Sequence, residues 1–294
     1  MTASNPARHE STTGPGPQAQ GAHLDSTAHL LNRISSQLAG QLSLVSLDGR
    51  RRPDPPALVV VAHGSRNPRA LSTVRALLDR VRELRPGLPV HLGHIELNEP
   101  LLPDTLTALA HMGTEEAVLV PLLLSRGHHV KQDIPEMAAA APLATRVAAP
   151  LGPHPLLVEA LYARLVEAGW RPRTADAVVL AAAGSRDPDS AVDTGRTAQL
   201  LADRLGVPVV PAYATAGPTV PAALRALAAR GHERVAVASC FTAPGRFATE
   251  CAQAAPWIAS APLGTHPAMA HLLLHHYDQS THTPTPTPQA LTPA

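Results

Sequence analysis

Apolar positions along the chain fall into blocks that alternate between two periods. Residues 57–62 (Ala57-Leu58-Val59-Val60-Val61-Ala62) form a continuous apolar run, the pattern of a parallel strand buried on both faces. Pro68 then opens a segment in which Leu71, Val74, Leu77, Leu78, Val81 and Leu84 recur at three- and four-residue steps, a helix closed by Pro86-Gly87. The alternation continues with a strand at 89–96, a helix at 101–112, a strand at 117–124, a short helix at 133–141, a strand at 146–149 and a helix at 155–168. A second series follows: strand 177–182, helix 188–205, strand 207–213, helix 219–230, strand 234–239, helix 246–255, strand 257–261 and helix 267–277. Repeated βα units predict parallel sheets with helices on both faces, and ligands beyond the carboxyl ends of the strands.

The two series are copies. Ala62-His63-Gly64-Ser65-Arg66-Asn67-Pro68 matches Ala182-Ala183-Gly184-Ser185-Arg186-Asp187-Pro188, and Ala149-Pro150-Leu151-Gly152-Pro153-His154-Pro155 matches Ala261-Pro262-Leu263-Gly264-Thr265-His266-Pro267. The fold class expected is therefore α/β, two duplicated doubly wound parallel-sheet lobes facing across a cleft. The expected domains are an arm at 1–56, a first lobe at 57–172, a second lobe at 173–278 and a tail at 279–294. The arm is rich in Pro, Gly, Ser and Thr, with one helical spacing at Leu30, Leu31, Ile34, Leu38 and Leu42. The tail repeats Thr-Pro and reads as extended and disordered.

Composition narrows the classes. Among 294 residues, 24 basic and 23 acidic side chains leave a net charge of +1, which argues against nucleic-acid binding by bulk charge. Neither a membrane-spanning run nor a secretory h-region is present, so the expectation is a cytoplasmic protein without a membrane anchor. Cys240 and Cys251 make neither a disulfide framework nor a zinc motif. Of the sixteen histidines, few fall where chemistry is expected, and all seven aromatic residues come after residue 161.

Three strand-end loops present groups able to bind a metal or carry a proton: His63 after the first strand, Glu96 at the end of the second, and His128-His129 after the third. Two imidazoles and a carboxylate make an open divalent-metal site or an acid–base site. With an offset of 118, fixed by Pro100/Pro218 and Gly113/Gly231, Glu96 corresponds to Ala214 and His129 to Phe247, while the matched turns pair His63 with Ala183. Groups absent from one copy are not required by the fold, which favours chemistry in the first half. His154 and His266 persist in both copies and read as structural.

These residues carry a resemblance. His63-Gly64-Ser65, Glu96-Leu97-Asn98-Glu99-Pro100, and Pro121 to Pro135 with Gly127 and His129 are similar to the ordered signatures of the sirohydrochlorin chelatases, the type II chelatases. That resemblance implies insertion of Fe²⁺, with Co²⁺ as the alternative, into sirohydrochlorin, the metal being substrate and no cofactor being held permanently. It implies His63 and His129 as metal ligands and Glu96 as the assisting carboxylate. Substrate contacts are expected from Ser65, Arg66, Arg126, Gly127, His128, Lys131, Arg186 and Arg246, the cations matching the macrocycle's carboxylates. Aromatic contacts are expected from Tyr213 and Phe247. The expected assembly is a monomer or weak homodimer. A non-catalytic metal or tetrapyrrole carrier, or a regulatory protein on the same fold, stands as the rival. A histidine-phosphatase reading fails because Ala62, not Arg, precedes His63.

Overall fold

The computed structural model describes residues 55–171, 176–232 and 234–282. The expected arm helix lies outside these residues, as does the Thr-Pro repeat. The first half runs β1 (Ala57–Ala62), α1 (Pro68–Leu84), β2 (Val90–His94), α2 (Leu102–His111), β3 (Glu116–Pro121), a π-helical turn (His129–Asp133), α3 (Ile134–Ala139), β4 (Ala144–Val147) and α4 (Pro155–Glu167). The second runs β5 (Asp176–Ala182), α5 (Pro188–Leu205), β6 (Val209–Tyr213), α6 (Val220–Ala228), β7 (Arg234–Ser239), α7 (Arg246–Gln253) and α8 (Pro267–His282). All strand pairings are parallel, in the orders β2-β1-β3-β4 and β6-β5-β7.

Local chemistry explains the element starts. Asn67 and Asp187 cap α1 and α5 by accepting from the amides of Arg69 and Asp189, and Pro68 and Pro188 occupy the first turns. His154 and His266 play the same part: each Nδ1 accepts from the amide two residues on, in Leu156 and Ala268. That gives a structural role to the two histidines retained in both copies.

The strand expected at 257–261 does not form a ladder. Val237 accepts from Ser260 and donates to Ile258, but the Ser239 amide then turns to the Ser260 hydroxyl at 2.9 Å, which ends the pairing after one bridge. The last helix runs to His282, beyond the expected end at 277 and into the expected tail.

The halves exchange their closing helices. α4, from the first half, packs on α5 and β7 of the second, while α8 packs on α1 and β3 of the first. Arg85, which caps the end of α1, binds Asp278 of α8 through two parallel hydrogen bonds, and the Tyr277 hydroxyl donates to the Pro56 carbonyl at 2.7 Å. Consistent with this, one apolar core joins the sheets: Leu58 and Val60 of β1 share a cluster with Val178 and Leu180 of β5. The opposite faces of the two sheets carry separate cores beneath α2 and α6. The cleft walls thus rest on a common core.

Candidate metal and tetrapyrrole site

The carboxyl ends of β1, β2 and β3 open on a cleft of about 1150 Å³, whose other wall comes from the second half. That is large for a drug-sized ligand and suits a macrocycle. His63 follows β1, and its Nδ1 lies 3.7 Å from Oε1 of Glu96, which follows β2. The His63 and His129 rings meet edge to face, with centroids 4.6 Å apart. Among the described residues, no three His, Cys, Asp or Glu side chains close tightly enough to form a ready metal cluster. His63 thus neighbours both of the other expected ligands, and all three line one open corner of the cleft.

Gly64 sets that corner. Its φ is +103°, and a Cβ placed there would lie 1.8 Å from the Glu96 carbonyl oxygen. Only glycine lets the β1 loop and the β2 loop approach this closely. The amides of Ile95 and Glu96 donate to the carbonyls of Ala62 and His63, extending the parallel register past the strands.

His129 opens the π-helical turn, in which the Ile134 amide reaches the His129 carbonyl five residues back. Single π turns concentrate at functional sites. Asp133, four residues after His129, hydrogen-bonds its Nδ1 and lies 3.5 Å from Nε2 of His128. A carboxylate on Nδ1 leaves Nε2 of His129 as the lone-pair nitrogen. Asp133 lies within the Pro121–Pro135 signature, and its i, i+4 spacing from His129 is the signal that marks it. His94 was also missed: it is buried in the cleft wall, its Nδ1 lies 3.1 Å from the Pro100 carbonyl, and burial pushes its pKa below the usual imidazole value. In the strand register its counterpart is Tyr213, and that of Glu96 is Thr215 rather than the Ala214 of the sequence offset, because the second-half loop is one residue shorter; neither group recurs in the second half.

Of the expected substrate contacts, Ser65, Arg66, Arg126, Gly127, His128, Arg246 and Phe247 line the cleft. Arg126 and Lys131, expected to read substrate carboxylates, are already engaged. The Arg126 guanidinium and backbone amide bind Asp193, with one further hydrogen bond to Asp189. Lys131 bridges Asp187 and Asp189 at 2.7–2.8 Å and stands outside the cleft lining. Ser125 and Ser190 complete this contact between the halves at 3.0 Å. The partners are Asp187, Asp189 and Asp193 at the start of α5, in the other half of the chain. Arg186 is exposed just beyond the lining, next to Ser185.

The aromatic expectation is half corrected. Phe247 lines the cleft, with the Arg246 guanidinium 4.6 Å above its ring. Tyr213 is buried in the shared core and directs its hydroxyl to Thr194, because the last residue of β6 points inward. Phe241, two residues after β7, is the second ring in the cleft. It was legible as another aromatic at a strand end.

The CbiX family model matches residues 57–168 and again 177–280. The sirohydrochlorin ferrochelatase of Bacillus subtilis is 34% identical over 168 residues, covering 54% of this chain and 63% of that protein. The sirohydrochlorin cobaltochelatase of Methanococcus aeolicus is 35% identical over 81 residues, covering 28% of this chain, which spans 57% of that relative's length. The solved structure of SirB from Bacillus subtilis with Fe³⁺ superposes with a TM-score of 0.64 at 24% identity, covering 78% of this chain and 96% of that one, a likeness of fold. With both halves matched in order, the chain belongs to the CbiX family.

Proposed function

We propose that this protein inserts a divalent metal, Fe²⁺ in the first reading, into sirohydrochlorin. The observation that carries the reading is the open corner of His63, His129 and Glu96 at the mouth of a macrocycle-sized cleft. All three groups are replaced in the second half, His63 by Ala183, His129 by Phe247 and Glu96 by Thr215. An ion in transit requires ligands that can hold it and then let it go, and an open set of two imidazoles and a carboxylate meets that need.

In the mechanism, M²⁺ enters the ring as two pyrrolic protons leave, so the macrocycle's charge falls by two as the ion's is neutralised. His63 and His129 hold the ion on one side, Asp133 fixes the His129 ring, and Glu96 orients the ion and accepts one of the protons, the other passing to solvent in the open cleft. Arg66 and Arg246 line the cleft and can meet ring carboxylates, while Arg126 and Lys131 hold the halves together. Phe241 and Phe247 supply flat apolar contact. Both walls come from one chain, so a monomer suffices. The lobes at 57–172 and 173–278 act as one catalytic body, the first half supplying the ligands.

Co²⁺ is the second reading, because relatives named for each metal match this chain. Among the described residues no helix is long and apolar enough to cross a membrane, and both cysteines are free and buried, which suits work in a reducing cytoplasm. The test is to compare Fe²⁺ and Co²⁺ insertion by purified protein under anaerobic conditions. Faster Fe²⁺ insertion supports the first reading and faster Co²⁺ insertion the second. Rates equal to spontaneous insertion with both metals would overturn both.

A further inference from the structure

Among the described residues, Leu97 is the sole non-glycine with a left-handed backbone, at φ +65°. The Asn98 amide donates to the Glu96 carbonyl at 2.8 Å, so Glu96-Leu97-Asn98 closes as a γ-turn. With positive φ at its centre this turn is rare and strained, and a leucine there lacks the local compensation open to Gly or Asn. Such strain persists where the surroundings over-determine it. Here the Glu96 amide is tied to the His63 carbonyl at 3.1 Å, and the Asn98 side-chain oxygen accepts from the Ser65 amide at 2.7 Å.

The turn exposes what a fold would otherwise cover. Leu97 is 49% exposed, and of the exposed large apolar side chains among the described residues it alone lines the cleft. The second half supplies an internal control. There the loop is one residue shorter: the Thr215 amide donates to the Ala183 carbonyl as the Glu96 amide does to His63, so Ala216 stands where Leu97 does, and it has no positive φ. Among the described residues the strained turn therefore occurs only in the half that carries His63, Glu96 and His129.

We propose that Leu97 is a substrate-contacting residue: the strained turn holds its side chain against an apolar face of the macrocycle beside Glu96. The first lobe has no aromatic ring before Tyr162, so a leucine forced into the cleft is its means of apolar contact at this point. The inference rests on the tetrapyrrole reading above.

The test uses Leu97→Ala, which removes the contact and keeps the strain, Leu97→Gly, which removes both, and Leu97→Met, which keeps apolar reach. The Ala and Gly variants should raise KM for sirohydrochlorin about tenfold, the scale of withdrawing one partly buried leucine. KM for the metal should not move, and Met should restore most of the loss. Leu97→Gly should also melt about 2–4 °C higher by relief of strain. A higher melting temperature with unchanged KM for sirohydrochlorin would overturn the proposal. So would a raised KM for the metal alone, which would make the turn a support for Glu96. If wild-type protein inserts no metal, the tetrapyrrole reading fails on its own. Sirohydrochlorin binding by absorbance titration then decides Leu97 separately: weaker binding by the Gly variant supports the contact, and equal binding overturns it.

Discussion

Arg126, three residues before His129 in the turn that presents it, is gripped by Asp193 from the other half of the chain through both its guanidinium and its backbone amide. The carboxylate is nearly buried. A residue of the second half thus sets the position of a first-half candidate ligand, which gives the degenerate copy a part in the site.

Asp193→Asn should lower the melting temperature and slow metal insertion. Burial pushes the Asp193 carboxyl up, but the hydrogen bonds from Arg126 outweigh it and leave the group below the ordinary carboxylate value. Its folded pKa being depressed, the stability it contributes is present above about pH 4 and is lost as pH falls through the lower folded value. Thermal melts of wild type and variant should therefore converge as the pH drops below about 4. A constant gap across that range would count against the ion pair as the cause.

Asp133→Asn should reduce metal insertion by about 10–100-fold, chiefly through KM for the metal, the usual scale for a carboxylate that orients a ligating imidazole. The melting temperature should change little, since Asp133 touches two half-exposed or exposed histidines rather than the core. A KM change confined to sirohydrochlorin would contradict this role.

Gly64→Ala should cost at least about 1–3 kcal/mol from backbone strain alone. The clash with the Glu96 carbonyl adds to it and must separate His63 from Glu96. Denaturant melts and insertion assays should both register the change. The matched substitution Gly184→Ala meets side-chain atoms at 3.1 Å or more, not a carbonyl, and should leave insertion closer to wild type.

His276 on α8 is buried against His154 and His275, with ring centroids 5.9 and 5.7 Å away, and its Nε2 has no hydrogen-bond partner. Burial, then the two neighbouring imidazoles, pushes its pKa down to about 4. The unfolded chain takes up this proton near pH 6.5, so stability present above that value is lost as pH falls towards 4. His276→Leu should flatten the profile between those limits. An unchanged profile would assign the acid sensitivity elsewhere.

The sequence made the duplication and the order of elements legible, because heptads survive at matched ends and apolar periods differ sharply between strand and helix. It placed His63, Glu96 and His129 on one edge for the same reason: strand ends converge in a parallel sheet. The exchange of α4 and α8 left no periodic trace, since an amphipathic helix does not encode which sheet it covers. The fates of Arg126 and Lys131 depended on Asp187, Asp189 and Asp193 in the other half, a pairing that spacing within one half cannot show. Tyr213 was misplaced because a strand's last side chain can face either layer, and the strain at Leu97 was not legible because it is a property of φ and not of residue type.

The most direct measurement follows the absorbance of sirohydrochlorin under anaerobic conditions with Fe²⁺ and either wild-type protein or the His63→Ala, His129→Ala double variant. The account predicts insertion well above the spontaneous rate for wild type and the spontaneous rate for the double variant, with circular dichroism showing both folded. Insertion by the folded double variant at the wild-type rate would contradict it.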